Sequence, residues 1–471
     1  MEARRLTRSL GWLWVGYLAR ALAYFGLILV FTRSLGAAGF GVLSLFLAVT
    51  LGVSQLAGSW PFLAVPVLSA RGRSIAAAFR PSLYVALVAT AASLVVAIPV
   101  SIAIGIDSPI SLFSIVASTL ALVLLQGVFS VQQTEGRMAE IAVLQTAERV
   151  VALALALVAV LVTGLGVIGA QALLATAAIL TCAAGLAVVG RRQHLFRRHP
   201  GHLPDHLVST VLGAVGAMAI VSVCSYGVAW ADVYILAAFR SNADVGIYSL
   251  AYQIFAFVTQ LASYWLVVAL PEHARSSAAG EGLREQLADP GLETYTGLWA
   301  ALIATGAAVS GVLLPVVFGA AYEEAVPPLL LLLGGSGVFI AVYFAVLPGL
   351  IGAGRSDLVA RVAVASVAVN VGLDIVLVPL VGIIGPALAT FAQTLLAAAV
   401  LAWRARGRRG SLRLLAIGTP AAAATMLLAV NPTGPGLMAL CLAAALASAA
   451  WAVSSTRRHG RPVDGADVGA V

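Results

Sequence analysis

Runs of about twenty apolar residues recur along the whole chain, and short polar or charged stretches separate them. A helix of that length crosses the roughly 30 Å hydrocarbon core of a bilayer, where only helices and closed barrels satisfy their own backbone hydrogen bonds. Hydropathy windows predict an all-α, polytopic membrane protein of about fourteen transmembrane helices. The predicted segments are Gly11–Thr32, Phe40–Trp60, Ser82–Ile104, Ile110–Gln132, Ala142–Thr163, Val167–Gly190, Leu207–Trp230, Gly246–Leu270, Tyr295–Phe318, Val326–Ile351, Leu358–Val378, Ile384–Trp403, Leu412–Val430 and Gly436–Ser454.

The first segment is predicted to be a retained helix. It follows three arginines and contains the small-residue triplet Ala21–Ala23, as a signal peptide would. Its apolar sequence, however, continues past that triplet and is longer than a typical signal-peptide core.

Arginine placement supports this topology. With the amino terminus in the cytoplasm, 23 of the 27 arginines fall on the cytoplasmic side. Arg33 and Arg240 fall outside, while Arg20 and Arg149 lie within helices. Such asymmetry is the positive-inside pattern, so we expect a multi-pass protein of the cell membrane with both termini in the cytoplasm.

Composition narrows the function classes. Of the 471 residues, 61% are hydrophobic and 10% are charged, with mean hydropathy +1.03, whereas soluble domains have about 25% charged residues. The basic residues are all arginine, so a lysine-dependent nucleotide-binding loop or Schiff base is excluded. The net charge of +8 lies mainly in loops predicted to meet anionic lipid headgroups, and nucleic acid is not an expected partner. Cys182, Cys224 and Cys441 fall in apolar segments without metal-ligand spacing, so no metal or cofactor is expected.

Two short sequence phrases each occur twice in the chain. RSLGAAGFGVLSL (Arg33–Leu45) returns as RSNADVGIYSL (Arg240–Leu250), which maps Gly41 onto Gly246 at an offset of 205. LVTGLGVIGAQALLAT (Leu161–Thr176) returns as LVPLVGIIGPALAT (Leu377–Thr390), with Gly166 mapping onto Gly382 at an offset of 216. The repeats predict a duplicated six-helix unit. Because six is even, both copies enter the membrane in the same direction, as in two-lobed transporters with a site between the lobes.

The duplication predicts a domain organisation of two parallel six-helix lobes plus two C-terminal helices. The predicted parts are an N-terminal lobe at 1–190, a cytoplasmic inter-lobe loop at 191–206, a C-terminal lobe at 207–410, helices 13 and 14 at 411–454, and a cytoplasmic tail at 455–471.

Polar residues within the predicted spans are candidate substrate contacts, since charge in the bilayer is costly and usually faces a cavity or a partner. Tyr17, Arg20 and Tyr24 share one helical face, and a cation between aromatic rings suits a phosphate and sugar rings. A structural ion pair within the bundle is the alternative. Gln55, Tyr226, Gln253, Gln260 and Tyr264 are further cavity candidates, although such groups also bond neighbouring helices.

Two other sets of charged residues have alternative interpretations. Arg33, Arg240 and Asp232 are expected near the outer surface, where they either form an anion gate or fix helix ends. Asp374, Glu148 and Arg149 are candidates for coupling or for structural roles. Glu148 and Arg149 are adjacent and are expected to point to different faces, whereas Gln145 shares the face of Arg149.

Three stretches resemble the oligosaccharide (O-antigen/polysaccharide) flippase family of the multidrug/oligosaccharidyl-lipid/polysaccharide exporter superfamily. They are FTRSLGAAGFGVLSLFLAV, DVYILAAFRSNADVGIYSLAYQI and GLIGAGRSDLVARVAVASVAVNVGLDIVLVPLVGIIGPALAT. The last includes Arg355, Asn370, Pro379, Gly382, Gly385 and Thr390. The resemblance implies two lobes whose segments 1, 2, 7 and 8 line a cavity. It also implies flipping of an undecaprenyl-diphosphate-linked oligosaccharide to the outer leaflet by alternating access, with Arg20 at the diphosphate or at an acidic sugar.

Other functions remain open at the level of sequence. An ion-coupled multidrug or small-molecule exporter of the same superfamily would favour acidic groups at mid-membrane in segments 1, 7 or 8, and none is present. A membrane glycan polymerase or ligase needs a large outer loop, whereas the predicted loops are short. We therefore expect a transporter and no enzyme. Its expected partners are a lipid-linked oligosaccharide, membrane lipids and, in the cell, a polysaccharide polymerase or glycosyltransferases.

Overall fold

The computed structural model describes residues 2–162, 164, 166–193, 207–278, 282 and 290–459, and the regular structure in these ranges is helical throughout. The predicted all-α, polytopic membrane class is confirmed. The α-helices are α1 Glu2–Ser54, α2 Trp60–Ala70, α3 Ile75–Ala103, α4 Pro109–Thr134, α5 Met138–Val162, α6 Val167–Gln193, α7 Leu207–Val215, α8 Ala217–Phe239, α9 Asn242–Ala278, α10 Pro290–Phe318, α11 Val326–Leu331, α12 Val338–Gly352, α13 Ser356–Val381, α14 Ile384–Leu428 and α15 Pro435–His459.

Two of these helices each contain two of the predicted spans. The described residues include twelve continuous helical stretches that are long and apolar enough to cross a membrane. Within α1, Gly36 has φ 65° and ψ 179°, and within α14, Gly407 has φ 74° and ψ 178°. A residue with a β-carbon rarely adopts this backbone conformation, so each glycine ends one span and starts the next. With these two breaks, the fourteen predicted segments lie largely in described helical residues, although Leu207–Trp230 is divided between α7 and α8 at Gly216.

The chain forms two compact units, Met1–Ser249 and Leu250–Val471. In the first, α1 packs along α5, α4 packs along α6, and an apolar core that includes Phe62 and Phe79 joins α2, α3 and α4. In the second, α10 packs along α15, and α14 contacts both α12 and α13. Most of the predicted inter-lobe loop and of the predicted tail lies outside the described residues, so the lobe boundaries stay a prediction.

Two short π-helical segments interrupt the apolar spans. Gln55–Ser59 joins α1 to α2, and Leu332–Gly337 joins α11 to α12. Single π-helical turns inside α-helices are frequent at functional sites because the inserted residue redirects the side chains that follow. Gln55, a predicted cavity residue, opens the first of them.

Ion pairs link helix ends within each unit. In the first unit, Arg192 of α6 lies 2.8 Å from Glu135 after α4 and 3.2 Å from Glu140 of α5. In the second, Glu293 of α10 lies 3.0 Å from Arg413 and 3.8 Å from Arg406, both of α14. These pairs account for several arginines that sequence reasoning placed in loops facing lipid headgroups.

Candidate substrate-binding site

The interface between the first half of α1 and α5 brings together most of the charged residues predicted within the membrane in the first unit. Small residues allow the two helices to approach closely here. The Thr146 hydroxyl on α5 donates to the Gly16 carbonyl of α1 at 2.9 Å, and Leu153 packs one turn beyond Arg149 against Gly26. The interface therefore fixes the register between the polar stripes of the two helices.

Arg20 is held across this interface by an amide. Its Nη1 donates to Oε1 of Gln145 at 3.4 Å. Tyr17, one turn earlier, is buried, and Arg20 itself is partly exposed. The exposed large apolar residues described in this half of α1, Leu18, Leu22 and Phe25, lie on a different face. The predicted Tyr17–Arg20–Tyr24 stripe thus packs toward α5 within the first unit.

Arg149 occupies the other end of the same interface. Its guanidinium lies 4.8 Å from the centre of the Tyr24 ring, in cation–π geometry, and the residue is 8% exposed. Its Nη1 is 3.6 Å from Oε1 of Glu148. The expectation that adjacent Glu148 and Arg149 would point apart is wrong, because the two long side chains bend toward each other.

Arg149 therefore stacks on a tyrosine whose own helix carries Arg20 one turn earlier, and Glu148 contacts the same arginine. We call Tyr17, Arg20, Tyr24, Gln145, Glu148 and Arg149 the α1–α5 cluster. Its charged groups sum to one positive charge, and its hydrogen-bond donors are the guanidinium groups that bind phosphate most readily.

A second polar contact in the first unit involves the end of α1 and α8. The Tyr226 hydroxyl donates to the Ala48 carbonyl at 3.3 Å and lies 3.1 Å from the Tyr234 hydroxyl. Its ring packs against Gly52, where an added β-carbon would be 2.1 Å from the hydroxyl. Nothing in the local sequence pattern singled out Tyr234, because an i, i+8 relation is shared by many residue pairs on a helix.

The structure brings the two copies of the repeated phrase into contact. A β-carbon on Gly41 would lie 1.8 Å from the carbonyl oxygen of Asn242, and one on Gly246 would lie 2.0 Å from that of Ala37. Arg33 and Arg240 are both exposed. The Ser241 hydroxyl caps the start of α9 by accepting from the Asp244 backbone N–H at 3.2 Å, and it donates to the Asp244 carboxylate at 2.9 Å.

Asp232, the third predicted outer residue, is fully buried. It accepts a hydrogen bond of 2.5 Å from the Tyr248 hydroxyl. That contact holds α8 against the start of α9. A gating role for Arg33, Arg240 and Asp232 stays a prediction.

The predicted residues of α9 belong to the second unit. Gln253 is buried, whereas Gln260 is exposed and donates to the Ser263 hydroxyl at 3.0 Å. The side chain of Tyr264 lies outside the described residues. Their predicted role as cavity residues stays a prediction.

Asp374 lies on α13 in a buried polar group of the second unit. Asp374 and Asn370 are both fully buried, and the Asn370 amide donates to the Thr390 hydroxyl of α14 at 3.4 Å. Gly385 of α14 lies against the backbone at Leu377, which brings the two helices close. The coupling role predicted for Asp374 stays a prediction. Among the described residues, no group of three or more His, Cys, Asp or Glu side chains is arranged to hold a metal ion.

Comparison with known families identifies the chain. The model of the family described as polysaccharide biosynthesis protein matches residues 6–276, more than half of the sequence. The chain belongs to this family. The matched region contains the whole α1–α5 cluster and both copies of the first repeated phrase. No curated protein sequence matches the chain.

Solved structures show which fold this polysaccharide biosynthesis protein shares. The lipid II flippase MurJ in an inward closed conformation is 13% identical, with TM-score 0.57, over 95% of this chain and 92% of that one. An inward-facing multidrug resistance MATE family transporter of the MOP superfamily is 14% identical, with TM-score 0.59, over 85% and 98%. The eukaryotic MATE transporter AtDTX14 is 15% identical, with TM-score 0.58, over 88% and 99%. The family is one of polysaccharide biosynthesis, as the resemblance implied, and the chain shares its fold with flippase and MATE transporter structures.

Proposed function

We propose that this protein flips an undecaprenyl-diphosphate-linked oligosaccharide from the cytoplasmic to the outer leaflet of the cell membrane, for surface polysaccharide synthesis, by alternating access. Membership of a polysaccharide biosynthesis family supports the glycan part of this proposal. A structure of the same fold is named a lipid II flippase, so this fold accommodates a lipid-linked substrate. The transporter acts with both termini in the cytoplasm, alongside a polysaccharide polymerase or glycosyltransferases.

The observation that carries the proposal is the α1–α5 cluster. A diphosphate needs cationic donors, and guanidinium groups bind its oxygens in pairs. Arg20 and Arg149 supply such donors beside the aromatic rings of Tyr17 and Tyr24, which suit the sugar next to the phosphate. The excess positive charge of the cluster favours an anionic substrate. A cationic substrate would instead need acidic groups in the cavity.

We assign energy coupling to the buried polar group around Asp374. It would drive the return of the empty transporter to its starting access state. A fully buried carboxylate in a membrane segment is costly when ionised, so it favours capture of a proton or a cation. Asn370, one turn before Asp374, and its hydrogen-bond partner Thr390 carry oxygen atoms that would share such a cation. In this proposal, occupancy of Asp374 biases one of the two access states.

The test follows lipid-linked oligosaccharide in the two leaflets of cells that lack the protein. Cells complemented with the wild type should restore outward transfer, and cells complemented with Arg20→Ala should retain the glycan on the cytoplasmic face. Rescue by Arg20→Ala would agree with the flippase proposal but would show that Arg20 has only a structural role. An unchanged leaflet distribution in the deletion strain would contradict the proposal and favour a multidrug exporter.

A further inference from the structure

The contact between Glu148 and Arg149 is a loose ion pair. The nitrogen–oxygen distance of 3.6 Å exceeds the 2.7–2.9 Å of a good charge-assisted hydrogen bond. The two side chains are only 13% and 10% exposed, so water contributes little to their solvation. Arg149 also stacks on Tyr24, which orients the guanidinium independently of Glu148.

The loose pair with Glu148 partly compensates the positive charge of the cluster. Without Glu148, the cluster would hold two positive charges, the buried Arg149 and the partly exposed Arg20, with no carboxylate to offset them. An uncompensated charge inside a protein is strongly destabilising, whereas a paired one is tolerated. Glu148 therefore lowers the cost of the state in which no substrate is bound.

We infer that Glu148 is a resident counter-anion, which pairs with Arg149 in the empty transporter and is displaced when a diphosphate binds. The inference rests on the proposed function and assigns a release step to the same site. The diphosphate carries more charge than one carboxylate, so it displaces Glu148 from Arg149 when it enters. Glu148 regains Arg149 on exit and prevents the substrate from being trapped.

The exchange also sets specificity. An anion must outcompete a carboxylate that is covalently tethered beside the arginine and so has a high effective concentration. A lipid with one negative charge gains little by displacing Glu148, whereas a diphosphate gains a bidentate contact. Removal of the carboxylate should therefore tighten binding of anions and slow their release.

The experiment measures binding of farnesyl diphosphate to the purified full-length protein in detergent, with farnesol as the uncharged control. Glu148→Gln should bind the diphosphate about tenfold more tightly than the wild type, a change typical of a partly buried charge pair. Its affinity for farnesol should be unchanged. Glu148→Asp, which keeps the charge but shortens the reach, should lie between the two.

Asp357→Asn is the matched control. Asp357 pairs with Arg361 at 2.5 Å, but both side chains are well exposed, at 67% and 74%. Removal of this carboxylate changes the net charge by the same amount and should leave diphosphate affinity at the wild-type value.

The outcomes separate the two proposals. If the wild type binds farnesyl diphosphate no better than farnesol, the proposed function fails, and the counter-anion role fails with it. If the wild type prefers the diphosphate but Glu148→Gln and Glu148→Asp keep its affinity or weaken it, the counter-anion role is overturned while the proposed function stands. Thermal melting of each variant shows whether its fold is retained.

Discussion

Arg149 depends on an aromatic ring as much as on a carboxylate. The Tyr24 ring faces its guanidinium at 4.8 Å, and such a contact contributes about 0.5–2 kcal/mol, depending on its desolvation. The Tyr24 hydroxyl is not required for this attraction.

We therefore expect Tyr24→Phe to keep thermal stability and flipping near wild type, because the ring remains. Tyr24→Leu should lower stability by about 1 kcal/mol and reduce flipping several-fold, because Arg149 loses its support. Thermal melting and the leaflet assay measure both. Equal losses in the two variants would show that the hydroxyl matters and the ring does not.

The contact between Gln145 and Arg20 leads to a separate prediction about diphosphate binding. Its amide accepts from the Arg20 guanidinium at 3.4 Å and fixes the side chain across the interface. Gln145→Leu keeps the volume but removes the acceptor, and should weaken diphosphate binding several-fold without loss of the folded state. Gln145→Glu should weaken it further by adding a second competing carboxylate. Stronger binding in either variant would contradict this account.

At the scale of elements, the apolar runs predicted the helices because a membrane span is encoded locally by length and hydropathy. The repeated phrases predicted a duplication, and the structure places their equivalent glycines, Gly41 and Gly246, in a close helix contact. The pairing of Tyr24 with Arg149 could not be predicted, because these residues lie 125 positions apart and no local period relates them. The π-helical segment at Gln55–Ser59 was also absent from the prediction, since nothing in its composition distinguishes it from an α-helix.

The close approach at Gly41 predicts a loss of stability for an alanine substitution there, and Gly372 provides a control position in the same chain. Gly41→Ala would place a β-carbon 1.8 Å from a backbone oxygen, so the helices must separate, at a cost of about 1–3 kcal/mol or more. Gly372→Ala on α13 meets no atom within 4 Å and should be neutral or stabilising by up to about 1 kcal/mol. Melting temperatures in detergent compare the two. A Gly41→Ala protein as stable as the wild type would contradict the contact.

At the scale of the whole molecule, the predicted orientation rests on arginine asymmetry. Arg73 and Arg408 are exposed residues of predicted cytoplasmic stretches, whereas Arg33 and Arg240 are exposed residues of predicted outer ones. The three native cysteines fall in helices and can be removed to give a clean background.

Single cysteines at these four positions should therefore divide into two classes. A membrane-impermeant thiol reagent applied to intact cells should label Arg33→Cys and Arg240→Cys, and should label Arg73→Cys and Arg408→Cys only after the cells are opened. The reverse pattern would invert the topology. A mixed pattern within either pair would show a miscounted span.

The contact between the repeated phrases has a consequence for the ancestry of the chain. Gly41 meets the carbonyl of residue 242, and Gly246 meets that of residue 37; each pair is related to the other by the same offset of 205. Such reciprocity defines an isologous contact, the kind made by two identical subunits across a two-fold axis. A shorter ancestor with one copy of the phrase would have made this contact by dimerising. Fusion of two such copies would turn a contact between two molecules into a contact within one chain.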